Sequence, residues 1–185
     1  MGKMIEIRWH GRGGQGSFTA AKLLGVAVAL YGNKHALAFP SFGPERRGAP
    51  VLAFTKIDDK KIQDRSEVKQ CDYIVILDET LFNEAFFNDL KPNGKIILNA
   101  ENPERYAHFE SANLHLIDAS AIAEEILGKP ITNTAMLGAL IGISSVVEID
   151  SVLAGIGSFL KGGLLQKNID VVKRTYGQSR KGITV

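Results

Sequence analysis

Six consecutive residues near the N-terminus have the composition of an anion-binding loop. They are Gly11, Arg12, Gly13, Gly14, Gln15 and Gly16, and the glycines at positions 11, 13 and 16 match the pattern G-x-G-x-x-G. The loop follows a strand-like segment, 4–10, and opens a long apolar segment, 17–31. Glycines there permit positive φ angles, and the free N–H groups at the start of the next helix favour an anion. The loop therefore predicts a phosphate or carboxylate site, with a tight turn or close backbone packing as the alternative.

Arg46 and Arg47 form the second candidate set. They lie in a segment, 41–50, that is too rich in glycine and proline for a helix or a strand. A planar guanidinium group suits phosphate or carboxylate recognition, and Phe42 in the same segment is a candidate to stack on a base or to cover an interface. Because this segment also follows a predicted strand, we expect it on the same side of the sheet as the glycine loop. The alternative is a solvated arginine pair or an ion pair with Glu45.

Two common nucleotide chemistries are disfavoured. A dinucleotide-binding unit needs an Asp or Glu about 20 residues after the glycines, at the end of the second strand. That strand instead ends in Ala38-Phe39-Pro40, and the first acid after it is Glu45. The loop is also followed by Ser17 and not by the Lys-Ser or Lys-Thr pair of a phosphate-loop NTPase. NAD chemistry and ATP or GTP hydrolysis therefore have little support.

The sequence contains no recognisable catalytic set. Its histidines have no metal-ligand spacing, and we interpret His35, His108 and His115 as surface or packing residues. His10 is kept as a candidate because it ends a strand beside the glycine loop. The single cysteine, Cys71, excludes an internal disulfide and any cluster held by several thiolates of this chain. Any redox chemistry must therefore involve another molecule.

Charge and hydropathy limit the partners. A formal net charge of +2, without a run of five or more basic residues, argues against nucleic-acid binding. The apolar stretch 18–30 is too short to span a bilayer, and the N-terminus lacks the order of a signal peptide. We therefore expect a cytoplasmic protein with no nucleic-acid and no membrane partner.

A sheet is needed to position these residues. Strands are predicted at 4–10, 34–39, 51–57, 73–77, 95–98 and 114–118, with a hairpin partner for the third at 60–63. Helices are predicted at 17–31, at 79–87 after Asp78, and at 119–127, 134–144, 151–161 and 164–176. Residues 1–185 are then one α/β domain with three layers. It has a mixed, mostly parallel Rossmann-like sheet flanked by helices, and a helical C-terminal third.

A third stretch of interest, 133–139, opens one of these late helices and is made of small and apolar residues. Thr132 or Asn133 can cap that helix. Small residues allow another backbone to approach closely, and either a helix of the same fold or a neighbouring subunit would satisfy this.

Taken together, the segments 11–16, 41–48 and 133–139 resemble, in order and spacing, the gamma subunit or gamma domain of 2-oxoacid:ferredoxin oxidoreductases. The resemblance is strongest to pyruvate:ferredoxin oxidoreductase and covers nearly the whole chain. It implies an α/β subunit of a complex that converts pyruvate, coenzyme A and oxidised ferredoxin into acetyl-CoA, carbon dioxide and reduced ferredoxin. Related subunits that serve branched-chain 2-oxoacids, 2-oxoglutarate or indolepyruvate carry similar motifs, so these substrates stay open.

The resemblance also implies where the cofactors lie. Thiamine diphosphate and the iron–sulfur clusters are expected in partner subunits of alpha, beta and delta type, with none bound by this chain alone. Coenzyme A is expected as a co-substrate, and this chain is expected to be inactive in isolation, without catalytic or metal-binding residues. A stand-alone Rossmann-type nucleotide-binding protein and a purely structural scaffold are the competing hypotheses. The expected cofactor-binding residues are Gly11, Arg12, Gly13, Gly14, Gln15, Gly16, Arg46 and Arg47.

Overall fold

A six-stranded sheet forms the centre of the computed structural model, which describes residues 4–41, 46–109 and 113–181. Its strands are β1 (Ile5–Arg12), β2 (His35–Pro40), β3 (Pro50–Asp58), β4 (Cys71–Ile76), β5 (Leu90–Asn99) and β6 (Leu114–Ile117). Their spatial order is β2-β3-β1-β4-β5-β6. The neighbouring pairs β1–β4, β4–β5 and β5–β6 are parallel. β3 pairs antiparallel with both β1 and β2, so it alone among these strands runs against the others. The predicted mixed, mostly parallel sheet is confirmed.

Alternation of side chains along the strands divides the core into two parts. Ile7 and Trp9 on β1 pack in one apolar cluster, while the intervening Arg8 and His10 point to the opposite face. Strands β4 and β5 contribute apolar residues to both clusters. This explains why their sequences read as continuous apolar runs, as is typical of strands covered on both faces.

Five α-helices of the described chain cover the first face. They are α1 (Ser17–Val26), α2 (Ala119–Leu127), α3 (Asn133–Ser144), α4 (Ile149–Gly157) and α5 (Gly162–Arg180). α1 continues into a π-helical turn, Ala27–Tyr31, and together they account for the helix predicted at 17–31. Among the helices of the described ranges, none combines the length and the apolar character that crossing a bilayer requires.

Short 3₁₀ turns cover the second face: Glu79–Leu81, Glu84–Asp89 and Pro103–Tyr106. These turns and the residues that follow them carry a set of rings that we call the aromatic layer, consisting of Phe82, Phe86, Phe87, Tyr106 and Phe109. The rings pack on the strands, with Phe82 edge-on to Tyr106 at a centroid distance of 5.5 Å.

The α-helix predicted after Asp78 is therefore wrong in type. Asp78 accepts a hydrogen bond from the N–H of Thr80, and Asn83 accepts one from the N–H of Ala85. Side chains of this kind compete with helical hydrogen bonds and divide the segment into separate turns. Asn83 is extended, with φ of −140°, between the two turns.

The predicted hairpin partner at 60–63 is not a strand. Both edges of β3 are already paired, one with β1 and one with β2, so no edge is left for that segment. The chain after β3 is held instead by Asp64, which accepts hydrogen bonds from Lys56 Nζ at 2.5 Å and from the Ser66 N–H at 2.9 Å. The antiparallel portion of the sheet was predicted, but with the wrong partner strand.

The helical C-terminal third is confirmed, and α3 lies at its centre. Its residues from 134 to 141 are all buried. A Cβ added at Gly138 would lie 2.2 Å from Thr175 Oγ1 and 2.6 Å from the carbonyl oxygen of Val172, both on α5. Close packing of α3 on α5 within the fold therefore accounts for this small residue, without a neighbouring subunit.

Replacing Gly138 with alanine should destabilise the protein by about 1–3 kcal/mol, because the new methyl group meets the α5 backbone in a packed core. Gly177→Ala on α5 is the matched control, since a Cβ there meets nothing within 4 Å. That control should stabilise the helix by up to about 1 kcal/mol. Urea unfolding of both variants measures the difference, and equal midpoints would contradict the packing argument.

Candidate functional site

The glycine loop connects the carboxyl end of β1 to the start of α1. Gly14 and Gly16 have φ angles of 97° and 84°, in the region that side chains other than glycine rarely adopt. Within the described residues, no side chain caps α1, and its first turn holds no acidic residue. The first N–H groups of α1 thus present the positive end of the helix dipole.

The arginine segment lies directly against this loop. The N–H of Gly13 donates to the carbonyl of Ala49 at 2.8 Å, and the N–H of Gly48 donates back to the carbonyl of Gly13 at 3.0 Å. A Cβ at Gly13 would lie 2.3 Å from the carbonyl oxygen of Arg46. Only glycine therefore permits this approach of the two backbones, and the expectation that both segments share one edge of the sheet is confirmed.

The side chains of Arg46 and Arg47 are exposed, and neither forms an ion pair or side-chain hydrogen bond with another described residue. They are thus available to a ligand or to a partner. Phe42, the candidate to stack on a base or to cover an interface, lies outside the described residues, as does Glu45, the alternative ion-pair partner of the arginines. Both hypotheses stay untested.

The third sequence segment meets the same loop. A Cβ at Gly16 would lie 2.7 Å from Asn133 Nδ2, so the first residue of α3 packs on the last glycine of the loop. The side-chain carbonyl of Asn133 accepts a hydrogen bond from the N–H of Thr134 at 2.8 Å. The described parts of all three segments singled out in the sequence are therefore brought together at one site.

Arg12 and Gln15 point into the fold, toward Asp78 at the end of β4. Arg12 Nε donates to Asp78 Oδ2 at 3.1 Å, and Gln15 Nε2 donates to the same oxygen at 2.9 Å. The remaining guanidinium nitrogens of Arg12 donate to the Gly48 carbonyl and to Thr80 Oγ1. These contacts make Arg12 and Gln15 supports of the loop, which leaves less of their hydrogen-bonding capacity for an anion.

Asp78 and Thr80 are site residues that sequence reasoning missed. Partial burial alone would raise the pKa of Asp78, but hydrogen bonds from Thr80 and Gln15 and the charge of Arg12 outweigh it and hold the pKa below its ordinary value. The carboxylate therefore stays ionised and fixes Arg12. Its position directly after a buried strand, where side chains line the edge of a sheet, was the available signal.

His10 is not part of this site. It accepts a hydrogen bond from Arg8 Nε at 3.0 Å, and its ring centroid lies 4.5 Å from that of Phe86 in the aromatic layer. Burial, followed by the charge of Arg8 and opposed by Asp89, lowers the pKa of His10 to about 3. His10 is thus a neutral packing residue, as interpreted for the other histidines.

Ser17, the first residue of α1, is buried, and its Oγ has no hydrogen-bond partner among the described residues. A Cβ at Gly11 would lie 2.1 Å from that oxygen, so Gly11 makes room for it. Buried hydroxyl groups normally form a hydrogen bond, so the Ser17 hydroxyl is an unusual unsatisfied polar group at the N-terminus of α1.

The donor atoms of the described residues do not suit a metal centre. Cys71 is buried at the start of β4, and burial raises the pKa of its thiol to about 12. No group of three or more His, Cys, Asp or Glu in ranges 4–41, 46–109 and 113–181 could hold a metal ion. Among the described residues of the site, the positive groups are the uncapped start of α1 and the exposed side chains of Arg46 and Arg47.

Comparison with known proteins identifies the family of the chain. Residues 6–178 match the family described as pyruvate ferredoxin/flavodoxin oxidoreductase. A Methanothermobacter thermautotrophicus protein named pyruvate synthase subunit PorC is 45% identical over 181 residues, covering 96% of this chain and 97% of the relative. A Thermococcus litoralis protein named pyruvate/ketoisovalerate oxidoreductases common subunit gamma is 44% identical, with coverages of 94% and 96%. The crystal structure of pyruvate oxidoreductase subunit PORC from Thermotoga maritima is similar with a TM-score of 0.78 at 31% identity, covering 97% of each chain. The chain therefore belongs to the pyruvate ferredoxin/flavodoxin oxidoreductase family and is the gamma subunit of a pyruvate or related 2-oxoacid ferredoxin oxidoreductase.

Proposed function

We propose that this gamma subunit serves a pyruvate:ferredoxin oxidoreductase and forms the coenzyme A side of its active site. The complex would convert pyruvate, coenzyme A and oxidised ferredoxin into acetyl-CoA, carbon dioxide and reduced ferredoxin. The name of the Methanothermobacter relative supports pyruvate as the substrate. The Thermococcus relative is named as common to pyruvate and ketoisovalerate enzymes, so a branched-chain 2-oxoacid is the second candidate.

The placement of Arg46 and Arg47 carries the proposal. Backbone hydrogen bonds hold their segment against Gly13. Gly13 belongs to the glycine loop, which leads directly into the uncapped start of α1. Coenzyme A presents a diphosphate and a separate phosphate, and guanidinium groups and helix N-termini are both suited to such anions. The two neighbouring loops thus provide two exposed arginines and the free N-terminus of α1. These positive groups are suited to bind those phosphates.

In this proposal the redox chemistry belongs to partner subunits of alpha, beta and delta type. Those subunits would carry thiamine diphosphate and the iron–sulfur clusters, and ferredoxin would accept the electrons of the complex. The residues of this chain do not fit an iron–sulfur cluster, since the sequence has a single cysteine and its thiol is buried. We place the complex in the cytoplasm, and we assign this chain no catalytic residue.

Arg46→Ala or Arg47→Ala in the assembled complex should raise the KM for coenzyme A by roughly 10- to 150-fold. This is the loss of one hydrogen bond to a charged group, worth roughly 1.5–3 kcal/mol. If the contact is equally strong in the ground and transition states, kcat stays near normal and the KM for pyruvate hardly changes. Steady-state kinetics on complexes purified with each substitution measure all three constants.

Arg105→Ala is the matched control, because Arg105 is also exposed but pairs with Glu79 at 3.3 Å. It should leave the KM for coenzyme A unchanged. Subunit stoichiometry is measured on the same samples. A lower yield of complex with a normal KM for coenzyme A would indicate that the arginines contact another subunit and do not bind coenzyme A. An intact complex with unchanged kinetics would reject both roles.

A further inference from the structure

An apolar groove lies beside the glycine loop, on the helical face of the fold. Its volume is about 340 Å³, and it lies between α1, the segment leading to α3, and the junction of α4 with α5. Ile131, Phe159 and Leu164 line it and are exposed by 46%, 43% and 56%. These are three of the six large apolar side chains that are exposed within the described residues. Exposed apolar side chains gathered around one groove mark a binding surface more strongly than the same residues scattered singly.

The charged side chain that lines the groove is positive. Lys129 is the one charged side chain among the described residues that line it, and no carboxylate of that part of the chain does so. At the rim, Lys22 Nζ lies 5.1 Å above the ring of Phe159. An occupant that matches this surface is apolar along its length and carries a negative charge where it meets the two lysines.

The groove is continuous with the candidate site. Asn133 lines the groove and also packs against Gly16 of the glycine loop. Thr19, on the first turns of α1, lines it as well. An occupant of the groove therefore contacts Asn133, which packs on the last glycine of the loop, and Thr19, near the start of α1.

We infer that this groove docks an apolar segment with a carboxylate side chain, supplied by another subunit of the same oxidoreductase complex. A subunit that works only inside a complex must cover such a surface, and the lysine rim selects an acidic partner. The inference rests on membership of the family and not on the coenzyme A role. The experiment must distinguish this partner segment from two other occupants, a second copy of this chain and a small apolar anion.

The first test is Leu164→Glu in the co-expressed complex, with Leu30→Glu as the matched control. Leu30 is 68% exposed on the π-helical turn and does not line the groove. Leu164→Glu should raise the apparent dissociation constant for assembly by roughly 30-fold or more, because it buries an unpaired carboxylate in an apolar interface. Leu30→Glu should change it little. Mass photometry on serial dilutions measures the constant, and circular dichroism checks that each variant is folded.

Lys129→Glu tests the acidic partner separately. It places like charges against each other, so assembly should weaken more at low salt than at high salt. The KM for coenzyme A of whatever complex assembles should stay normal in both groove variants, unlike in the arginine variants. Normal assembly of both Leu164→Glu and Lys129→Glu would overturn the inference while leaving the coenzyme A proposal untouched.

Anilinonaphthalene sulfonate, an apolar anionic dye, identifies the occupant. The isolated chain should bind the dye, Leu164→Glu should reduce that binding, and assembly of the complex should displace it. Dye that remains bound to the assembled complex would mean that the groove stays open for a small ligand. Self-association of the isolated chain that Leu164→Glu abolishes, with assembly unaffected, would indicate a second copy. Either result would overturn the inference.

Discussion

The purified chain on its own should reduce no dye when it is given pyruvate, coenzyme A, thiamine diphosphate and magnesium, and it should show no visible iron–sulfur absorption. The described residues supply neither a set of thiolates nor another group of metal ligands. Because electron transfer needs groups that the described residues do not assemble, the expected loss relative to the complex is complete and not partial.

The complex purified after co-expression with its partner subunits is the positive control for this experiment. It should reduce the dye in the same assay, which shows that the conditions are adequate. Pyruvate-dependent dye reduction by the single polypeptide, at a rate comparable to that of the complex, would contradict the assignment of the chemistry to the other subunits.

Gly13→Val should have the largest effect of any single substitution in the two loops. Its Cβ alone would lie 2.3 Å from the carbonyl oxygen of Arg46, and backbone atoms cannot move away as a flexible side chain can. The segment that carries both arginines must shift. Loss of both contacts to coenzyme A phosphates would raise the KM by roughly 10²- to 10⁴-fold. Coenzyme A titration of the purified complex measures this increase.

Gly14→Ala is the matched control for that substitution. A Cβ at Gly14 meets nothing within 4 Å, although its φ of 97° makes the change strained. The strain costs about 1–2 kcal/mol but leaves the Arg46 carbonyl untouched, so the KM should change far less. Equal effects from Gly13→Val and Gly14→Ala would show that the contact between the two loops is not what positions the arginines.

The parts of the fold that were predicted from sequence are those with a local cause. α2 was predicted with its observed bounds, and the structure shows local causes for both ends. Asp118 caps the helix by accepting the N–H of Ala121 at 2.8 Å, and Gly128 ends it with φ of 73°. The strands were found because alternating or continuous apolar runs reflect how each face is covered. Where two local preferences competed, as at Asp78 and Asn83, the hydrogen-bonding side chains prevailed and the predicted helix became 3₁₀ turns.

The sequence predicted the position of a site segment only where that segment directly follows a predicted strand. The glycine loop and the arginine segment were expected on one edge because each follows a strand, and the contact at Gly13 agrees. The bond between Arg12 and Asp78 joins residues 66 positions apart, and nothing in either local sequence indicates it. The same holds for Asn133 against Gly16, since packing between distant helices depends on the completed fold.

The central position of β1 determines when the protein can fold during its synthesis. β1 leaves the ribosome before the other strands, yet its neighbours are β3 and β4, which end at Asp58 and Ile76. One edge of β1 therefore stays unpaired until Ile76 has emerged. The contact between Gly16 and Asn133 forms later still, after all six strands have been made. A nascent chain that stops before α3 would thus carry the glycine loop without the residue that packs on its end, and the site is completed among the last parts of the molecule.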